Sequence, residues 1–200
     1  MWKPEPASMA ERKRQVVREE LGGAALRLLA INGFECTTID QIVAAAGVSR
    51  RTFFRYFKSK EDVIIVFLGD LGKFVLEALA ARPAEEPPGA AIRAALSVIV
   101  DGFSEDPAKS VALTNLMIGT PALRARYLDR QAELQAGLAV ELARRSGADP
   151  ATDPRSDLTA AVALKAFDVT LARWAAGGGT EDFGTILDES FALLPTLLDR

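Results

Sequence analysis

The chain has 200 residues, 49% hydrophobic and 26% charged, which is ordinary globular material for one or two domains and too apolar for a disordered chain. One cysteine and no histidine exclude an internal disulfide framework, ordinary zinc sites and His-based triads. The longest strongly apolar run, VIIVFL (63–68), is far short of a membrane span, and the start of the chain lacks an apolar signal segment, so a cytoplasmic protein with no membrane partner is expected.

The net charge of −3 conceals a division: residues 11–60 balance to +5, residues 61–200 to −8. A basic first quarter on an acidic body predicts a local surface for a polyanion. The first helix is predicted over 9–32, with Leu21, Ala25, Leu28 and Leu29 as its apolar stripe, Gly33 ending it and Phe34 folding back on the core. TTIDQIVAAAG (37–47) reads as a short second helix. Thr38 and Gln41 form a capping box there, and Ile39, Ile42, Val43 and Ala46 are its buried face. Gly47 permits a sharp turn, Ser49 caps a third helix, and Ser59 with Asp62 caps a fourth over 60–81. That fourth helix is apolar nearly all round and should be sandwiched between neighbours.

RPAEEPPG (82–89) is a breaker-rich linker and, by composition, the one strong candidate for a domain boundary. Beyond it come a helix through Ile92, Leu96, Ile99 and Phe103, a helix bracketed by Pro107 and Pro121, and a long helix with Leu123, Tyr127, Gln131, Leu134, Leu138 and Leu142 on one stripe. After SGADPATDPRS (146–156), two last helices are predicted at 157–176 and 182–198. The expectation is an all-α chain of about nine helices.

The stretch GVSRRTFFRYFKSKED (47–62) mixes arginines with aromatic rings. At about 100° per residue, Phe53 and Phe57 fall on one face of the third helix. Arg51, Thr52, Arg55 and Tyr56 fall on the other, with Arg50 and Phe54 on the flank. Helix, glycine turn, helix is the arrangement of a helix-turn-helix, whose second helix offers side chains to the major groove of double-stranded DNA. Arginine suits that task because its planar fork can bond guanine O6 and N7 together. Thr38, Tyr56 and Lys60 suit phosphates, and Arg12, Lys13, Arg14 and Arg18 could extend the backbone contact.

GFECTTIDQIVAAAGVSRRTFFRYFKSKEDVI (33–64) resembles the N-terminal signature of the TetR family of bacterial transcriptional regulators, with Thr37, Thr38, Gly47, Thr52, Tyr56, Phe57 and Lys60 at the expected spacing. The resemblance implies a helix-turn-helix DNA-binding domain over 1–58 and a helical ligand-binding and dimerisation domain over 59–200. It puts Arg50, Arg51, Thr52, Phe54, Arg55 and Tyr56 at DNA-facing positions, and Thr38 and Lys60 at phosphate-contact positions. Phe54 stands where tyrosine is commoner, and Arg51 where a small residue is frequent. The C-terminal part is similar to mycofactocin-associated regulators, a branch described as binding acyl-CoA-like ligands.

By that analogy the chain is a homodimeric regulator, repression being the family's usual mode, that binds a pseudopalindromic operator and is released by a small, largely apolar effector. Phe67, Phe74, Phe103, Leu116, Met117, Tyr127 and Trp174 are candidate walls of the effector pocket, with Asn115, as a buried amide, and Gln131 as polar contacts. Leu164, Phe167, Leu171, Ile186, Leu187, Phe191 and Leu194 are candidates for the dimer interface. No cofactor is expected. Two other classes stay open on the residues alone: a helical protein–protein adaptor using its basic patch, and an enzyme. For the enzyme only the carboxylate pairs Glu85/Glu86 and Asp188/Glu189 offer material, without a phosphate loop or nucleophile elbow. Cys36, in a turn, reads as a small tolerated residue or a redox sensor.

Overall fold

The computed structural model describes residues 9–149 and 152–197, apart from the side chains of residues 10–12, so Arg12 lies outside the described side chains. Among the described residues the secondary structure is helical, without a strand. The elements are α1 (Met9–Asn32), α2 (Ile39–Ala45), α3 (Arg50–Tyr56), α4 (Lys60–Ala80), α5 (Pro88–Ala95), α6 (Ser97–Glu105), α7 (Pro107–Gly119), α8 (Pro121–Ser146), α9 (Arg155–Ala176) and α10 (Phe183–Leu193), then a 3₁₀ turn, Leu194–Thr196. Leu96 both ends α5 and begins α6, so these two are one bent run, and the described residues form nine helical runs. None of these helices is long and apolar enough to cross a membrane.

The described residues fall into two compact units that divide between Phe67 and Leu68, inside α4. The breaker-rich segment 82–89 therefore lies within the second unit and is not the boundary its composition suggested. Arg145 of α8 holds it there, donating to the carbonyls of Leu79, Arg82, Pro83 and Glu86.

In the first unit local chemistry sets each boundary. Gly33, at φ +77°, closes α1 with its N–H on the Leu29 carbonyl. Thr38 and Gln41 cap α2 reciprocally, each side chain taking the other's backbone N–H. Gly47, at φ +63°, turns the chain through a left-handed conformation that a side chain would strain, and Ser49 accepts the Thr52 N–H at the head of α3. Ser59 accepts the Asp62 N–H, and Asp62 accepts that of Lys58, at the head of α4. Leu21, Ala25 and Leu29 of α1, Ile42 and Val43 of α2, Phe34, Phe53, Phe57 and Val63 form the buried interior.

The second unit is built around α9, which packs against α8 and α10. Val75 and Leu79 of α4, Ile92 and Leu96, Leu138 and Leu142 of α8, and Leu164, Phe167, Leu171 and Trp174 of α9 share its core with Phe183 and Leu187 of α10. Four rings meet in it. Phe103 stacks on Trp174 with centroids 5.5 Å apart and meets Phe183 edge-on at 4.9 Å, while Phe167 meets Phe183 edge-on at 5.6 Å. Gly137 lets α8 approach α4, since a methyl there would come within 2.9 Å of Leu76 Cδ1.

Three expectations are corrected. Of the residues expected at a dimer interface, Leu164, Phe167, Leu171 and Leu187 are buried within the protomer's own core, while Ile186, Phe191 and Leu194 stay partly exposed. A helical period reports that a face is covered, not by which chain. Second, α4 is not sandwiched on every side: Phe67 and Phe74 lie exposed, with Lys73 and Glu77 exposed beside Phe74. Third, Asn115 is exposed rather than a buried amide, and the buried polar residue of α7 is its neighbour Thr114.

Candidate nucleic-acid interface

The seven residues of α3 are divided by burial as their spacing predicts. Phe53 is fully buried and Phe57 nearly so, their rings 5.6 Å apart, and Phe57 reaches Gly22 of α1. Burying Phe53 on a two-turn helix and Phe57 at the residue that ends it fixes its rotation, and everything opposite must then face solvent. Arg50, Arg51 and Arg55 are exposed and Thr52 and Tyr56 partly so. Phe54 is 49% exposed, its ring edge-on to Phe53.

The arginines differ in how they are held. Arg50 Nη1 donates to both carboxylate oxygens of Asp40 in α2, at 2.9 and 3.0 Å. Arg55 lies over the Tyr56 ring, 4.9 Å from its centroid, and donates to its hydroxyl at 3.2 Å. Arg51 has no side-chain partner among the described residues; with Ser49, Thr52, Phe54 and Arg55 it borders a shallow open depression. A second depression is bordered by Arg14, Gln15 and Arg18 of α1 with Tyr56 of α3, so α1 and α3 bring cationic and hydroxyl groups to one concave surface. A polyanion meeting this face finds guanidinium groups from two helices.

The residues read from sequence as phosphate contacts sit differently. Thr38 spends its hydroxyl on the cap, accepting the Gln41 N–H at 3.2 Å and donating to Gln41 Oε1 at 3.1 Å, although the residue is exposed. Lys60 turns inward: Nζ donates to the carbonyls of Phe34 at 2.5 Å and Thr37 at 3.2 Å, and sits 4.1 Å from the centroid of the Phe34 ring. It thereby ties the start of α4 to the α1–α2 turn. Asp40 was not singled out from sequence; ten residues before Arg50 and on another helix, it gave no local signal.

In the second unit the structure brings some of the pocket candidates together. Phe103 and Trp174 stack, and Met117 is buried while Leu116 is partly so. Tyr127 and Gln131, one turn apart on α8, converge on Asp168 of α9. Tyr127 donates to Asp168 Oδ1 at 2.5 Å and accepts from Gln131 Nε2 at 2.9 Å, and Gln131 donates to Asp168 as well. Burial above all, with the Asp168 carboxylate adding to it, pushes the Tyr127 hydroxyl above the usual phenol range, so it stays a protonated donor. Asp168 was missed in the sequence, though its place between Phe167 and Leu171 on the buried side of α9 was a usable signal. Phe67, Phe74 and Asn115 are exposed.

A different apolar stripe faces out. Leu158, Val162 and Val169 of α9 are exposed at spacings that keep them on one side of the helix, and Leu193 and Leu197 are exposed near the end of the chain.

Residues 23–65 match the bacterial regulatory proteins of the tetR family, and residues 86–199 match the MftR C-terminal domain. The HTH-type transcriptional regulator TcmR of Streptomyces glaucescens is 38% identical over 165 residues, covering 80% of this chain and 73% of that protein. Among solved structures, the fatty acid degradation regulator FadR from Bacillus halodurans shares the fold with a TM-score of 0.69 at 19% identity, over 91% of this chain and 96% of that one. FadR from Bacillus subtilis, solved in complex with stearoyl-CoA, shares it at 0.66 and 19% identity, over 89% and 97%. With a tetR-family match on one unit and an MftR-type match on the other, the chain belongs to the TetR family of bacterial transcriptional regulators and is not an enzyme.

Proposed function

We propose that this protein is a cytoplasmic, ligand-responsive repressor that binds a pseudopalindromic operator as a homodimer and is released by a small, largely apolar effector. The observation that carries the reading is α3, which Phe53 within it and Phe57 at its end lock into the core, turning Arg51, Thr52, Arg55 and Tyr56 outward together. Arg51 and Arg55 approach base edges, while Tyr56 with Arg14 and Arg18 grips the backbone. Arg50 and Phe54 meet the duplex from the flank of α3, and Thr38, exposed at the head of α2, lies along the backbone path with its hydroxyl kept on the cap. Lys60 serves the surface indirectly by fixing the α1–α2 turn. The DNA-binding part is residues 1–58, and 59–200 carry the effector and dimer functions.

The dimer forms through the exposed stripe of Leu158, Val162 and Val169, aided by Leu193 and Leu197. Two reading heads then address half-sites about one helical turn apart, or a multiple of it. The effector enters the second unit where Phe103, Met117 and Trp174 supply apolar wall and Tyr127, Gln131 and Asp168 supply donors and acceptors. An acyl-CoA-like molecule, of the class bound by the Bacillus subtilis FadR structure, suits such an interior. It favours a conformer with wrongly spaced heads, and α4, which contributes residues to both units, carries the change.

Enrichment of duplexes from a random pool tests the core of this reading. The expected product is an inverted repeat, bound by a species of twice the chain mass in light scattering. A pool that yields no preferred sequence would refute it.

A further inference from the structure

Asp40 stands in the first turn of α2, 67% exposed, beside a surface that the proposed function turns toward phosphates. A carboxylate there repels DNA, and an exposed ion pair stabilises a fold little. Ile42 of α2 and Phe53 of α3 are each fully buried, so both helices are anchored without it. Its geometry gives it a different use. Both carboxylate oxygens of Asp40 are taken by one nitrogen of Arg50, Nη1, at 2.9 and 3.0 Å. The parallel fork, in which Nε and Nη2 would each meet an oxygen, is not formed. Nε and Nη2 of Arg50 are thus left without a partner among the described residues, and these are two adjacent donors of the kind that match guanine O6 and N7.

We infer that Asp40 is a positioning residue for sequence recognition: it holds Arg50 by Nη1 from a second helix and presents the Nε/Nη2 edge to a guanine in the major groove. The inference rests on the proposed operator binding. An arginine held beforehand loses less rotamer freedom when it meets its base, and a held fork rejects bases that lack the paired acceptors. Asp40 itself contributes repulsion to every phosphate contact, specific or not, so its net effect is on discrimination rather than on adhesion. The arrangement separates the arginines by role, with Arg50 braced from α2, Arg55 folded on Tyr56, and Arg51 adaptable.

The test uses the full chain and a duplex enriched from a random pool, with a scrambled duplex of equal length beside it. Asp40→Asn keeps the side-chain size and Asp40→Ala removes it; thermal melting of both confirms folding. Operator affinity should fall about tenfold in either variant, the scale of one loosened base contact. Affinity for the scrambled duplex should hold or rise, and the lost discrimination should concentrate at one base pair of each half-site. In an Arg50→Ala background, Asp40→Asn should cost nothing further on the operator. Asp40→Glu, which restores the carboxylate, should recover part of the preference. Parallel tightening on both duplexes would overturn the inference, because Asp40 would then act only by repulsion or by restraining Arg50. An equal loss in the Arg50→Ala background would also overturn it, pointing to the stability of α2. If the wild type prefers no duplex, operator recognition itself fails and the inference with it; if the wild type discriminates and Asp40→Asn matches it, only the inference fails.

Discussion

Two groups of aromatic side chains do opposite work in this molecule. In the first unit Phe53, Phe54 and Tyr56 crowd into one two-turn helix that Phe57 ends, and their value lies in what they force onto its other side. In the second unit Phe103, Phe167, Trp174 and Phe183 come from three helices that span eighty residues of sequence and meet ring against ring. The first group orients a surface and the second fills an interior. A short helix can therefore announce its function in its own residues, whereas an interior assembled from distant helices cannot.

The largest effects should separate the two groups. Phe53→Ala should cost about 3–5 kcal/mol, the range for emptying a phenyl site in a core, and should abolish operator binding with it. Trp174→Ala should cost a similar amount by the same cavity mechanism, again about 3–5 kcal/mol, but in the second unit. Hydrogen exchange read segment by segment checks this. Phe53→Ala should lower protection in α1–α3 and spare α8–α9, with the reverse for Trp174→Ala. Loss of protection throughout the chain from either change would contradict two separate cores.

Next in size is Arg51→Ala, which should weaken operator binding by about 1–3 kcal/mol and relax preference at one position while leaving the melting temperature unchanged. Fluorescence anisotropy on the operator and on single-base variants reads both quantities. Tyr127→Phe removes a hydroxyl that serves both Gln131 and Asp168 in a part-buried setting, and should cost about 1–3 kcal/mol of stability by leaving the carboxylate short of a donor. No change on melting would show that water replaces that donor. Lys60→Met should cost about 1 kcal/mol, since it strands the carbonyls of Phe34 and Thr37. It should leave the salt dependence of DNA binding as it was; a slope lower by about one would make Lys60 a phosphate contact after all.

How much of this was legible follows the same division. Thr38 with Gln41, Gly47, Ser49, and Ser59 with Asp62 are motifs of four residues or fewer, and each set a helix boundary in the structure where the sequence placed it. The burial of Phe53 followed from angle alone; Phe57 is buried as well, but from the extended position that ends α3. Lys60 was read by residue type and family spacing as a cation for phosphate; its inward turn depends on two carbonyls more than twenty residues earlier. In the second unit the apolar stripes of α9 and α10 were visible, but periodicity cannot tell a protomer's own core from a partner's surface. Leu164 and Phe167 went to the former, and the less conspicuous Leu158, Val162 and Val169 face out. Tyr127 and Gln131 were named separately, yet the residue that unites them, Asp168, lies about forty positions on and on another helix.

The most direct test of the account follows binding to the enriched duplex and to its scrambled counterpart as salt rises. Guanidinium groups from α1 and α3 on phosphates predict a steep linear fall of log affinity with log salt on both duplexes, and base reading by α3 predicts that the operator stays preferred throughout. Equal affinity for the two duplexes, or binding indifferent to salt, would contradict the claim that this face reads DNA.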